Sequence, residues 1–128
     1  LSMKGRLPWP VIGKIRNDFG ESRHEGKMRW QGVTIDSAEG QKVYAIHHGQ
    51  IVYADWFRGL GLLTIIDHAD GFMSLYAHNS SLEKDLGEWV TPGMEIATVG
   101  RSGGNTKISL YFEIRRNGKP TDPMLWCK

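Results

Sequence analysis

The sequence predicts an all-β fold, mostly antiparallel and arranged in two layers, and two observations indicate it. Sixteen glycines are spread along the 128 residues and separate short runs rich in valine, isoleucine, tyrosine and phenylalanine. No stretch keeps apolar residues at helical spacing over three turns. Because short β-branched and aromatic runs between glycine-containing links are typical of strands joined by turns, a sheet protein is expected.

The predicted strands follow one another along the chain with few residues between them. They cover residues 11–19, 31–36, 42–46, 50–55, 62–68, 72–78, 95–99 and 108–116. Short polar or glycine-containing links at 47–49 and 69–71 predict antiparallel hairpins. We therefore expect strands that are neighbours in sequence to pair, and we expect the longer loops at 56–61 and 101–107.

Length and charge limit the classes of protein that need to be considered. A chain of this size buries about two-thirds of its unfolded surface in one core, so we expect one domain at 7–128 after a linker or cloning remnant at 1–6. The formal charge of +2 is too small to predict a nucleic-acid partner. The single cysteine forms no internal disulfide, no signal peptide is visible, and an upstream targeting or anchoring segment is left open.

Alternation along three predicted strands separates an aliphatic face from a mixed polar and aromatic face. In the last strand the aliphatic set is Ile108, Leu110, Phe112 and Ile114, and the mixed set is Ser109, Tyr111, Glu113 and Arg115. The corresponding mixed sets of the other two strands are Ser74, Tyr76 and His78, and Trp30, Gly32 and Thr34. Side chains two positions apart in a strand share a face, so these mixed sets are expected to line one surface groove.

Three motifs on these strands carry a family resemblance that runs over residues 7–126. They are Trp30-Gln31-Gly32-Val33-Thr34, Tyr76-Ala77-His78 and Ser109-Leu110-Tyr111-Phe112-Glu113. They resemble, in order, the His-x-Gly-x-Asp, Tyr-x-His and His-x-His-Phe-Glu motifs of the LytM, or lysostaphin-like, zinc endopeptidases. The resemblance implies the duplicated-hybrid-motif-like fold of that family.

The resemblance also implies that the zinc site is lost. In active members two histidines and an aspartate hold the zinc, and two further histidines assist catalysis. Here Trp30, Thr34 and Tyr111 occupy the ligand positions, Ser109 occupies one catalytic position, and only His78 remains. A catalytic zinc needs three nitrogen, oxygen or sulfur ligands, and tryptophan supplies none. We therefore expect no metal, no cofactor and no peptidase activity.

The other histidines are not expected to form a substitute zinc site. His47 and His48 are adjacent, so they would point to opposite faces of a continued strand. In a hairpin turning at 69–71, His68 would pair near Phe72 and lie roughly 20 Å from His78. A relocated metal site is therefore not predicted.

Three segments resemble a degenerate branch of the family, the periplasmic murein hydrolase activators of bacterial cell division. They are residues 29–32, 54–56 and, most specifically, the octapeptide 109–116. This resemblance implies a periplasmic protein that binds and activates an N-acetylmuramoyl-L-alanine amidase. It also implies that a coiled coil upstream of this sequence links the protein to a division-site ABC-transporter-like complex.

A partner-binding groove is expected where the zinc site was lost. Its predicted floor is formed by Trp30, Thr34, His78, Ser109 and Tyr111, and it extends to Gln31, Leu60 and Arg115. A helix with one apolar face, taken from the regulatory region of the amidase, is the expected ligand. Arg115 is expected to meet a carboxylate of that partner.

Simpler structural roles stand beside these hypotheses. His78 can equally be a relic without a role. Trp30 can simply fill the space left by zinc, and Arg115 can equally be a solvated strand residue. Gly32 is interpreted as backbone room beside Trp30. Trp9, Trp89 and Trp126 are expected to pack under loops.

Two other functions are kept as alternatives to the activator. An active zinc endopeptidase with unrecognised ligands would require stoichiometric metal. A passive peptidoglycan-binding module would use the aromatic groove to stack on sugars, and would bind sacculi without activating an amidase. An assay of amidase activity with and without the domain separates these alternatives.

Overall fold

The structure, a computed structural model, describes residues 3–23, 28–29 and 31–128. Its strands are β1 (Lys14–Asn17), β2 (Ser22–Arg23), β3 (Met28–Arg29), β4 (Val33–Asp36), β5 (Lys42–Tyr44), β6 (Gly49–Phe57), β7 (Gly61–Asp67), β8 (Phe72–Asn79), β9 (Ser81–Leu82), β10 (Trp89–Val90), β11 (Glu95–Thr98), β12 (Ser109–Arg116) and β13 (Lys119–Thr121). A short 3₁₀ helix follows at Pro123–Leu125. Among the described residues, no helix has the length and apolar character needed to cross a membrane.

A large antiparallel sheet forms the centre of the fold. Its strand order is β1-β4-β12-β8-β7-β6-β10, and β13 pairs with the end of β12. The central strand β12 lies between β4 and β8, with Tyr111 opposite Thr34 on one side and opposite Ala77 on the other. The motif strands predicted from the sequence are therefore direct neighbours.

A smaller sheet covers one face of the large one, so the predicted two-layer all-β architecture is confirmed. The small sheet has the order β5-β11-β9. Apolar residues of both sheets pack into one core, which includes Val33, Ile35, Val43, Ile51, Ile66, Phe72, Ile96, Ala97, Leu110, Phe112 and Ile114. Burial of these apolar side chains supplies the main stabilisation of the fold.

The opposite, outer face of the large sheet carries a second and smaller apolar cluster. Its buried members are Leu63, Leu75, Ala77 and Tyr111, and the partly buried Tyr53, Leu60 and Ile65 pack against them. We call this surface, together with Thr34, Ser109, Glu113 and Arg115, the outer face. It is the surface on which the sequence places the groove.

One predicted hairpin forms and the other does not. The β7–β8 hairpin turns at residues 69–71, where the Phe72 N–H donates to the Ala69 carbonyl at 3.0 Å. The two residues between them, Asp70 and Gly71, both have positive φ, as a turn of type I′ requires. The predicted pairing of β5 with β6 is wrong, because β5 pairs with β11 in the small sheet. The chain crosses between the sheets after β5 and enters the large sheet at Gly49, where an added Cβ would lie 2.6 Å from the Asp67 carbonyl oxygen.

The face assignment for β8 needs a correction. Ser74 and Tyr76 lie on the core side, where they are fully buried, and Leu75 and Ala77 lie on the outer face beside Tyr111. The two polar side chains are tolerated in the core because their hydroxyls bond to each other at 2.7 Å. The outer face is therefore more apolar along β8 than the alternation predicted.

Of the three tryptophans that were expected to pack under loops, two contact the core and one is exposed. Trp9 packs edge-to-face on Phe112, with ring centroids 6.3 Å apart, and Trp126 lies against Phe72 at 5.0 Å, so both contact core phenylalanines. The prediction for Trp89 is wrong, since its side chain is 72% exposed. Trp89 lies on β10, which among the described residues pairs with β6 at the edge of the large sheet.

Candidate functional site

The centre of the outer face is formed by two hydroxyl-bearing residues from neighbouring strands. Thr34 and Tyr111 are register partners on β4 and β12. They are only 5% and 6% exposed, respectively. They stand on one face because each belongs to the non-aliphatic set of its strand, as the alternation predicted. Trp30, the third residue expected here, lies outside the described residues.

His78 reaches this surface through a local backbone irregularity. Strict alternation would place it with Ser74 and Tyr76 on the core side, yet its ring centroid lies 6.4 Å from that of Tyr111. The backbone at His78 has a φ of 67°, a left-handed conformation that a non-glycine residue seldom adopts. The ring Nδ1 lies 2.7 Å from the Ser102 carbonyl oxygen. Since a carbonyl oxygen only accepts, Nδ1 carries a hydrogen.

Two loops meet beside His78 and form a wall of the outer face. The Leu60 carbonyl accepts the His78 backbone N–H at 2.8 Å, and the Ser102 N–H donates to the His78 carbonyl at 3.3 Å. The loops are so close that a Cβ on Gly103 would lie 2.3 Å from the Gly61 nitrogen. Leu60 packs from this wall against the outer apolar cluster, so the predicted groove residue Leu60 borders the floor.

A chain of polar contacts runs along β12 from Tyr111 towards its end. The Tyr111 hydroxyl donates to Glu113 Oε2 at 2.6 Å, and Arg115 Nε donates to Glu113 Oε1 at 2.7 Å. Arg115 Nη2 also donates to Gln31 Oε1 at 3.2 Å. Glu113 was not among the predicted groove residues, although its position two residues from both Tyr111 and Arg115 on one face was a signal for it.

Ser109 marks the other end of the outer face, where charged groups gather. Its fully buried hydroxyl accepts from Asn105 at 2.9 Å and donates to the Lys107 carbonyl at 3.1 Å. Asp36 next to it pairs with Arg16 at 2.8 Å and with Lys107 at 3.4 Å. Partial burial works to raise the pKa of Asp36, but the two ion pairs outweigh it and hold that pKa below its usual value. The sequence did not indicate this ion-pair group.

The donor set at the family's zinc-ligand positions does not fit a zinc ion. Thr34 offers a neutral hydroxyl, the Tyr111 phenol is hydrogen-bonded to Glu113, and position 30 holds a tryptophan. Neutral hydroxyls are weak zinc ligands compared with imidazole, thiolate and carboxylate. Across the described ranges, no group of three or more His, Cys, Asp or Glu side chains is arranged to hold a metal.

Three histidines, His47, His48 and His68, lie close together where the chain crosses between the sheets. His47 and His48 do not continue a strand, because β5 ends at Tyr44, so the expectation of opposite faces does not apply to them, and their ring centroids lie 5.5 Å apart. His68 lies 5.8 Å from His47. Its Nδ1 contacts the His48 carbonyl and its Nε2 contacts the Ser74 hydroxyl, both at 2.7 Å. Both ring nitrogens of His68 are thus used within the protein.

Burial makes His68 a neutral residue at physiological pH. Desolvation lowers the pKa of its imidazole to about 4, and the nearby His47 acts in the same direction. The His48 carbonyl needs a donor, so Nδ1 carries the hydrogen and Nε2 accepts from Ser74. Desolvation also lowers the pKa of His47, with His48 as a second cause.

Fold and site together define a class: a zinc-peptidase scaffold whose ligand positions carry residues unsuited to zinc. The sequence pattern of peptidase family M23 matches residues 28–123. The chain therefore belongs to peptidase family M23.

Individual relatives agree with this assignment. The chain is 43% identical over 123 residues to the murein hydrolase activator EnvC of Escherichia coli. This alignment covers 96% of this chain and 29% of that protein. The chain is 39% identical over 121 residues to a lipoprotein NlpD/LppB homolog of Pseudomonas aeruginosa, covering 94% of this chain and 39% of that one. The predicted resemblance to the murein hydrolase activators is thus confirmed, although the chain spans only about three tenths of the length of EnvC.

A solved structure supports the same fold. The catalytic domain of the antimicrobial peptidase lysostaphin from Staphylococcus simulans superposes with a TM-score of 0.79 and 29% identity. The match covers 88% of this chain and 90% of that domain. The predicted LytM or lysostaphin-like architecture is confirmed.

Proposed function

We propose that this domain is a non-catalytic activator of a periplasmic N-acetylmuramoyl-L-alanine amidase, and that it binds the amidase through a groove on the outer face. The observation that carries the proposal is the state of the family's zinc-ligand positions. They hold residues unsuited to zinc, and Tyr111 is built into a fixed contact chain with Glu113 and Arg115. This surface is ordered for contact and lacks the groups for metal-assisted hydrolysis.

The relatives favour activation over hydrolysis. EnvC is named a murein hydrolase activator, and its similarity covers almost the whole of this chain. The lipoprotein relative favours a location in the cell envelope. A periplasmic site of action, a role in cell division and a link through an upstream coiled coil to an ABC-transporter-like complex belong to this proposal. Direct binding of peptidoglycan is an additional property that the assay below tests.

The outer face has the dimensions and chemistry that suit one helix. From Ser109 to Arg115, β12 extends about 20 Å, a length that roughly 13 helical residues span. The middle of this surface is apolar around Leu60, Leu75 and Tyr111. Arg115 lies at one end, partly exposed, and can bond a carboxylate of the helix. An amphipathic helix with an acidic residue near one end is therefore the partner segment we propose.

Activation would result from a shift between two states of the amidase. If the helix covers the amidase active site when unbound, the domain favours the open state because it binds the released helix more tightly. A shift from mostly closed to mostly open requires about 10⁴-fold tighter binding to the open state. The domain needs no catalytic group for this effect.

The test is a dye-release assay on labelled peptidoglycan with amidase alone, domain alone and both together. We expect release by the mixture to exceed that of the amidase alone, and no release by the domain alone even with added zinc. Zinc-dependent release by the domain alone, abolished by His78→Ala, would support the endopeptidase instead. Sedimentation with sacculi without any stimulation of amidases would support the passive binding module.

A further inference from the structure

The side chain of Glu113 connects those of Tyr111 and Arg115, which lie two positions before and two positions after it on β12. Its carboxylate accepts from the Tyr111 hydroxyl through Oε2 and from Arg115 Nε through Oε1. Glu113 itself is only 5% exposed, so it offers almost no surface to a partner. Of the two residues that its oxygens bond, Arg115 has 33% of its side chain exposed, whereas Tyr111, at 6%, is as buried as Glu113 and takes part in the outer face through its ring edge and neighbours.

The position of the Glu113 side chain is fixed by the backbone just before β4 as well as by its hydrogen bonds. A Cβ on Gly32 would lie 2.8 Å from Glu113 Cγ and 2.3 Å from the Phe112 carbonyl oxygen. Only a glycine allows the Glu113 stem to lie this close to the chain at position 32. Gly32 therefore makes room for Glu113, while its predicted role as space beside Trp30 concerns a residue outside the described ones.

The contacts also restrict Arg115. A strand arginine at a sheet surface usually samples many rotamers, but here Nε is bonded to Glu113 and Nη2 to Gln31. These bonds use one edge of the guanidinium and direct its Nη1 side away from Glu113, where a carboxylate can bond in a defined geometry. Since the Glu113–Arg115 pair has no net charge, it contributes direction more than long-range attraction.

We propose that Glu113 is a positioning residue of the partner-binding groove: it holds the Tyr111 ring and the Arg115 guanidinium in the orientation in which a partner helix meets them. This inference rests on the proposed function, and it assigns Glu113 an effect on binding without contact to the partner. Its loss should raise the ordering cost of binding, since Tyr111 and Arg115 would be fixed only in the complex.

The first test needs no partner and measures hydrogen exchange of the Arg115 Nε–H by NMR. Loss of the charge-assisted bond in Glu113→Leu should speed this exchange by about tenfold or more. Glu113→Gln should fall between wild type and Glu113→Leu, because its amide oxygen can accept from Nε while its amide nitrogen donates to the tyrosine oxygen. An equal exchange rate in wild type and Glu113→Leu would overturn the positioning role.

The second test measures how much domain half-maximally activates the amidase, using a panel of purified N-acetylmuramoyl-L-alanine amidases. Glu113→Leu should raise that concentration by about tenfold. In a Tyr111→Phe, Arg115→Ala background the same change should matter less than about threefold, since the positioned groups are gone. An undiminished effect in that background would mean that Glu113 acts in another way and would overturn the proposal.

The control is Glu95→Gln, which removes a carboxylate from an exposed pair with Lys42 on the small sheet. It should leave both readouts within about twofold of wild type. If wild type activates no amidase of the panel, the proposed function fails, while the Arg115 exchange rate still decides whether Glu113 positions the guanidinium. The two failures are thus distinguishable.

Discussion

The two faces of β12 differ in what they require of their residues. On the core side, Leu110, Phe112 and Ile114 are fully buried against the small sheet, and their shape and volume decide whether they fit. On the outer side, Tyr111 is held by a hydrogen bond to Glu113, and that carboxylate is shared with Arg115. One strand can therefore keep the fold of a peptidase family through alternate residues while the intervening residues carry a different surface chemistry.

The largest effect is expected on the core side, from Phe112→Ala. The ring is fully buried and packs against Tyr76, with ring centroids 5.4 Å apart, and against Trp9. Truncation to alanine should lower the free energy of unfolding by about 3 to 5 kcal/mol, because it leaves a cavity. Chemical denaturation measures this loss, with Phe112→Leu as the milder control. A melting temperature equal to that of wild type would contradict the assignment of this face to the core.

The second effect is acid destabilisation through His68. The pKa of this imidazole is about 4 in the folded protein and 6.5 as its ordinary value, so the unfolded chain binds the proton more readily. The stability from the neutral form is fully present above about pH 6.5 and is lost as the pH falls to about 4, by about 3 kcal/mol. Denaturation curves between about pH 7.5 and pH 4 measure this loss.

The His68 prediction has an internal control in His68→Gln, which should flatten most of the pH dependence. His47, His48 and Asp67 are the titratable neighbours, and the lowered pKa of His47 should leave a residual slope of the same sign. The pKa of Asp36 is held below its ordinary value of 3.8, so its contribution to stability is lost mainly below this window. An unchanged pH slope in His68→Gln would show that other groups cause the loss.

The third effect is on the outer face and separates binding from folding. Tyr111→Lys and Arg115→Glu should each weaken amidase activation by about thirtyfold, or ~2 kcal/mol, as loss of a central contact commonly does. Both variants should still fold, since the Phe112 side of β12 is unchanged, but Arg115→Glu should melt lower than Tyr111→Lys because it places a second carboxylate beside the buried Glu113. The lysine replacing Tyr111 would also lie beside the Glu113 carboxylate, which offsets its burial.

Arg116→Glu is the matched control for Arg115→Glu. Arg116 is the next residue of β12, is exposed, and alternates to the other face, so the same reversal of charge should leave activation intact. Equal loss in Arg115→Glu and Arg116→Glu would indicate a non-specific charge effect. Full activation by both Tyr111→Lys and Arg115→Glu would place the binding surface elsewhere.

The smallest effect on stability is expected from removing metal ions with a chelator. Because Thr34 and Tyr111 are poor zinc ligands, a chelator should move the melting temperature by less than about 1 °C. Elemental analysis after dialysis should find well below one equivalent of zinc. Zinc near one equivalent that resists dialysis would revive the endopeptidase alternative.

Alternation predicted much of this comparison, and it failed where the backbone departed from a regular strand. It assigned Tyr111 and Phe112 to opposite faces correctly, because β12 is regular. It misassigned β8, since the buried hydrogen bonds of Ser74 and Tyr76 make polar residues acceptable in the core and the positive φ of His78 turns its ring outwards. Pairing of β5 with β11 depends on contacts distant in sequence, which the short link at 47–49 does not reveal.

The contact chain of the outer face was only partly predictable. The sequence placed Tyr111, Glu113 and Arg115 on one surface, but the burial of a carboxylate between them depends on the close approach of Gly32, which immediately precedes the neighbouring strand β4. The ion pairs of Asp36 with Arg16 and Lys107 likewise join three separate segments. Such groupings follow from strand register, which the pattern of single strands does not fix.

The most direct test of the central claim is an NMR titration of the ¹⁵N-labelled domain with an unlabelled amidase that it activates. The largest changes in chemical shift and line width should fall on Thr34, Tyr111, Arg115 and the loop at Leu60, with little change in the small sheet or around the exposed Trp89. Changes concentrated around Trp89 or on the small sheet, with the outer face unaffected, would contradict that claim.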